Sequence, residues 1–140
     1  MHRRDFLILT ATISTVPALP ALAGFDTGID YVPGMVTERL AAGETVFLDF
    51  SATWCSTCRT QARIIKELQA EIPDYLEQVT FVSVDWDTYS SDPLTVSLKI
   101  PRRSTLVVLK GDKELGRIVA GTSRKDIKAL MDLALGAATA

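Results

Sequence analysis

The feature that most narrows the choice of fold is a seven-residue run, Thr45–Ser51 (TVFLDFS), apolar almost throughout, with the spacing Cys55-Ser56-Thr57-Cys58 just beyond it. A strand with one face in water alternates apolar and polar residues. A strand without that alternation is buried on both faces. Such a strand needs a sheet with helices on each side, and the rest of the chain supplies the pieces.

Val79–Trp86 (VTFVSVDW) reads as a second core strand. Thr105–Lys110 and Leu115–Val119 flank the turn signal Gly111-Asp112 and read as a hairpin. Helical patterns cover Met35–Ala42, capped by Gly43, and Ser56–Glu71, where Ile64, Ile65 and Leu68 recur at helical spacing before Pro73. Asp92-Pro93 opens a short helix reaching about Leu98, and the capping pattern Ser123–Asp126 opens a last one with Ile127, Leu130, Met131 and Leu135 on its apolar stripe. A short edge strand is expected near Ile29–Val32. The expectation is an α/β domain over residues 35–140, with a mixed sheet of four to five strands and helices on both faces, preceded by a loose segment, 24–34.

Residues 1–23 read as an export signal that is removed. Arg3-Arg4-Asp5-Phe6-Leu7 resembles the core of twin-arginine signals, and Ala21-Leu22-Ala23 supplies small residues for cleavage. Pro17 and Pro20 interrupt the segment, and its apolar run falls short of the roughly 20 residues a membrane span needs. No stable membrane insertion is therefore expected after removal. The expected location is the periplasm.

Removal leaves 13 basic against 16 acidic residues and takes away His2, the only histidine. Without histidine, Cys–His pairs, Ser–His–Asp triads and imidazole zinc sites are excluded. Two cysteines cannot supply a four-thiolate site within one chain. With no basic excess, a nucleic-acid partner is not expected.

At a helix start, Cys55 and Cys58 fall on one face, close enough to bridge. Unpaired N–H groups and the helix dipole there stabilise a thiolate on Cys55, making it the attacking sulfur and Cys58 the resolving one. No cofactor is needed beyond the Cys55–Cys58 disulfide itself. Two other readings stand beside this one: an inert disulfide, although so short a loop restrains the unfolded chain little, and half of a metal site shared between two chains.

Val46–Cys58 (VFLDFSATWCSTC), with Phe81–Asp87, Thr105–Leu109 and Gly121, resembles the thioredoxin family over roughly residues 35–135. More narrowly, it resembles the thioredoxin-like module of the transmembrane reductant conductor of the bacterial periplasm. The resemblance implies a buried proton acceptor at Asp49 that serves Cys58. A carboxylate inside an apolar strand needs such a reason; the plainer alternative is an Asp at a strand end, bonded to backbone or water. It implies Trp54 as a flat cover beside the cysteines, whereas Trp86 reads as packing. The family's cis-proline aligns with Ser104, ahead of Thr105. A cis bond before serine costs about 3 kcal/mol, against about 0.5–1 before proline, so this peptide is expected to be strained or trans.

Arg103, Ser104 and Thr105, with Trp54, are the expected substrate contacts, and Arg102 and Arg103 read either as positive charge on the rim near Cys55 or as a solvated basic loop. Ser83 stands where the family often has a lysine beside the buried Asp, and Arg63 replaces a helix-kinking proline, predicting a straighter helix. The function implied is periplasmic thiol–disulfide exchange with protein disulfides, leaning to reduction or interchange, fed by a membrane thiol-reductant. The alternative is a binding protein without turnover, its cysteines bridging a metal or iron–sulfur cluster between two copies.

Overall fold

The computed structural model of the protein describes residues 25–140; the expected export signal lies outside the described residues. The run Thr45–Ser51 forms β2, and all seven of its residues are buried. It is the middle strand of a five-stranded sheet with β1 (Ile29–Asp30), β3 (Thr80–Asp85), β4 (Thr105–Lys110) and β5 (Lys113–Val119), in the order β1-β3-β2-β4-β5. β3 runs parallel to both β1 and β2, while β4 is antiparallel to β2 and to β5. The sheet is therefore mixed, as the sequence implies.

Strand alternation divides β2 between two cores. Val46, Leu48 and Phe50 join Val82, Val84, Val107 and Leu109 on one face. That face is closed by α1 (Met35–Ala41), α4 (Trp86–Tyr89) and α5 (Pro93–Ser97) through Val36, Tyr89 and Leu94. Phe47 joins Phe81, Leu106 and Val108 on the other, under α2 (Ser56–Glu71), α3 (Asp74–Gln78) and α6 (Arg124–Thr139). Each large apolar side chain so buried is worth about 1.5–3 kcal/mol. Asp49, two residues after Phe47, points to the α2 face.

Several boundaries differ from expectation. β3 ends at Asp85, whose carboxylate accepts the Thr88 hydroxyl at 2.5 Å, and Trp86 begins α4 instead of closing the strand. α3 is unanticipated: Pro73, at φ −57°, suits a helix start, and Tyr75 anchors the turn by donating its hydroxyl to Asp132 of α6. β5 begins at Lys113, immediately after the turn in which Gly111 takes φ +60°. α2 is one unbroken sixteen-residue helix, with Arg63 paired to Glu67 on its exposed side.

Candidate active site

β2 delivers the chain to the start of α2, where Cys55 is the N-cap. Its Sγ accepts the backbone N–H of Cys58 at 3.2 Å, so a first-turn donor that would otherwise lack a partner is aimed at the sulfur. Both thiols are free and buried, Cys55 4% and Cys58 0% exposed. Burial pushes the Cys55 thiol up. Hydrogen bonds from Cys58, Ser104, the Cys58 backbone and Arg103 outweigh it and draw the thiol down to about 7. Burial and the neighbouring Cys55 raise Cys58. The pair is thus polarised, with an acidic outer sulfur and a proton-holding inner one.

Ser104 closes the site from the opposite side. Its Oγ lies 3.2 Å from Cys55 Sγ and 3.0 Å from Cys58 Sγ. The described residues contain no cis peptide, so the bond before Ser104 is trans, and the residue sits at φ +63°. Its N–H donates to Phe50 O at 2.7 Å, a bond that a proline could not make. Ser104 and Thr105 are both 0% exposed, and Thr105 Oγ1 donates to Arg102 O at 2.7 Å. Their side chains are therefore turned inward from the surface. Both lie beneath the rim.

Trp54 is 58% exposed beside the cysteines, its Nε1 donating to the Asp87 carboxylate at 2.9 and 3.1 Å. The Arg103 guanidinium stacks 4.3 Å above the Trp54 ring, a cation–π contact that fixes positive charge at the rim. Trp86 is half-buried between the cysteine cluster and the core of its face, as a packing residue would be.

Asp49 is 2% exposed, with one carboxylate oxygen accepting Thr27 Oγ1 at 2.9 Å and the other without a partner among the described residues. A strand-end, solvated Asp is thereby excluded. Burial raises its carboxyl to about 6, against the opposing pull of the Thr27 bond. Ser83 faces Asp49 across the β2–β3 register, and the Thr27 and Ser83 hydroxyls lie 2.9 Å apart. A pair of hydroxyls thus stands beside the buried carboxylate.

Three supporting residues escape the sequence reading: Thr27, Gln61 and Gln69. Gln69 Nε2 donates to Thr27 O at 2.8 Å, and Gln61 Nε2 donates to Ser104 O at 3.1 Å and Gly121 O at 2.9 Å. Both glutamines interrupt the buried stripe of α2, and polar residues on an apolar helix face are the signal that could have marked them.

The family model named Thioredoxin matches residues 34–133. Thioredoxin H5 of Oryza sativa subsp. japonica is 35% identical over 79 residues, covering 56% of this chain and 54% of the rice protein. The thioredoxin of Chlamydia trachomatis serovar D is 34% identical over 89 residues, 64% of this chain and 79% of its own length. The chain spans only about half the length of the rice relatives it matches. Among solved structures, Trxlp from Edwardsiella tarda superposes with a TM-score of 0.63 at 25% identity, over 74% of this chain and 98% of that one. Schistosoma mansoni thioredoxin pre-protein gives 0.59 at 26%, over 74% and 94%. The fold and the Cys-Ser-Thr-Cys turn at its active-site position agree with the family model, and the chain belongs to the thioredoxin family.

Proposed function

We propose that the chain is a thiol–disulfide oxidoreductase acting on protein disulfides. The observation that carries this reading is the polarised pair: Cys55 at the α2 N-cap with its thiol drawn down to about 7, and Cys58 buried behind it with its thiol raised. The Cys55 thiolate attacks one sulfur of the substrate disulfide, forming a mixed disulfide and expelling the other substrate sulfur as a thiolate. Cys58 then loses its proton and attacks Cys55 Sγ. The Cys55–Cys58 bond closes, the second substrate sulfur leaves as a thiolate, and two electrons have passed from the dithiol to the substrate. Asp49, on the strand face that α2 covers, receives the Cys58 proton; a carboxyl near 6 is suited to accept and release it around neutrality. Trp54 and Arg103 form the rim against which the substrate chain lies.

No cofactor enters this scheme. Export to the periplasm rests on the twin-arginine-like residues 3–7 and the Ala21–Ala23 cleavage pattern. A membrane thiol-reductant is the electron donor such a location calls for. The rim arginines favour an acidic protein partner.

The test is trapping. Cys58→Ser should accumulate a mixed disulfide between Cys55 and a model protein substrate, visible by mass spectrometry and released by reductant. Cys55→Ser should show neither trapping nor turnover. Full disulfide reduction by Cys55→Ser would contradict the assignment.

A further inference from the structure

We propose that the Ser104 hydroxyl is a catalytic hydrogen-bond donor shared by the two sulfurs, turning to whichever carries the negative charge as exchange proceeds. The inference rests on the exchange reaction proposed above and adds a residue to it. A hydroxyl has one proton and can donate to one sulfur at a time, yet Ser104 Oγ is within hydrogen-bond reach of both, 3.2 Å from Cys55 and 3.0 Å from Cys58. In the resting dithiol the charge is on Cys55, and the Ser104 O–H is one of its donors, beside the Cys58 thiol, the Cys58 backbone N–H and Arg103. Once the mixed disulfide forms, Cys55 is neutral and the charge must develop on Cys58. Rotation about a single C–O bond then redirects the same proton. Cys55 and Cys58 keep their roles in bond making and breaking, and Ser104 gains and loses no proton in either step.

The surroundings fit a fixed donor. Ser104 is fully buried, so water does not compete for its hydroxyl. Its backbone is pinned by its N–H to Phe50 O and by two donors to its carbonyl, Ala120 N–H at 2.8 Å and Gln61 Nε2 at 3.1 Å. These bonds hold it at φ +63°, a region that residues other than glycine adopt uncommonly. Gln61, itself fully buried, is therefore a positioning residue. The Ser104 bond is also among the contacts that lower the Cys55 thiol.

The experiment uses the full-length chain with Ser104→Gly and Ser104→Ala. Glycine accepts φ +63° and keeps the N–H to Phe50; alanine keeps the Cβ. The readouts are the pH midpoint of Cys55 alkylation in the reduced protein and the amount of mixed disulfide in a single turnover with a protein disulfide. Losing a hydrogen bond to a charged sulfur should raise the midpoint by about one pH unit, a roughly tenfold loss of thiolate below it, in both variants. The mixed disulfide should accumulate in both and not in the wild type. If alanine prevents folding, the glycine variant carries the test. An unchanged midpoint in Ser104→Gly, with the wild type exchanging disulfides normally, overturns this inference alone. A wild type that exchanges no disulfides overturns the proposed function with it.

Discussion

Asp49 shows how one buried carboxylate links stability to chemistry. Its carboxyl is raised to about 6, whereas in the unfolded chain it sits at about 3.9. Between those values the folded protein holds a proton that the unfolded chain has released, so stability falls as pH rises through that window and levels off above it. The cost of keeping Asp49 charged at neutral pH is on the order of 2–3 kcal/mol. Asp49→Asn should therefore be more stable than the wild type at pH 7 by about that amount, and lose this slope in urea unfolding between about pH 4 and 7. It should also resolve the mixed disulfide more slowly. Identical pH slopes in the two proteins would contradict the account. Cys55, Cys58 and Asp49 were legible in the sequence because residue type, spacing and an unexpected charge in an apolar run identify them without any fold. Thr27, Gln61 and Gln69 were not. Their partners lie 22, 43 and 42 residues away, and only the folded chain brings the pairs together.

At the scale of elements, the shortest strand carries an unexpected responsibility. β1 contributes two residues to the sheet, yet Thr27, just before it, supplies the only hydrogen bond to the Asp49 carboxylate among the described residues. Gly28 allows this approach: a Cβ there would stand 2.3 Å from the Phe81 carbonyl oxygen of β3. Gly28→Ala should push β1 off β3, lower stability by roughly 1–3 kcal/mol and withdraw Thr27 from Asp49. The opposing pull of Thr27 is then lost, so the pH window of Asp49 should move upward in the variant's unfolding curves. A variant that melts like the wild type with the same window would show that β1 does not hold the site. The long strands and helices were legible because each carries its own period or its own cap. The Asp74–Gln78 helix carries neither; its order comes from Tyr75 docking on Asp132, 57 residues away, a contact no local pattern encodes.

For the whole molecule, a sheet covered on both faces leaves its strand ends as the place for chemistry. Cys55, Cys58, Ser104, Trp54 and Arg103 converge there from the turn that opens α2 and from the loop before β4, far apart in sequence. No helix among the described residues is long and apolar enough to cross a membrane. The run TVFLDFS made this architecture legible, since a strand buried on both faces admits few alternatives. The place of Ser104 and its strained or trans peptide were legible by alignment; the reach of its hydroxyl to both sulfurs was not, because it depends on bonds to Phe50 and Gln61 that only the folded chain makes.

The account's central claim is that Cys55 and Cys58 form one reversible redox couple, and its reduction potential is the most direct test. The full-length chain would be equilibrated against defined thiol–disulfide buffers, and the reduced fraction read by thiol alkylation. The account predicts a reversible two-electron transition with a midpoint between about −270 and −180 mV, the span of reducing and interchanging members of this chemistry. Absence of a reversible couple, or thiols held stoichiometrically by iron or zinc in the purified protein, would contradict it and favour a metal- or cluster-bridged binding protein.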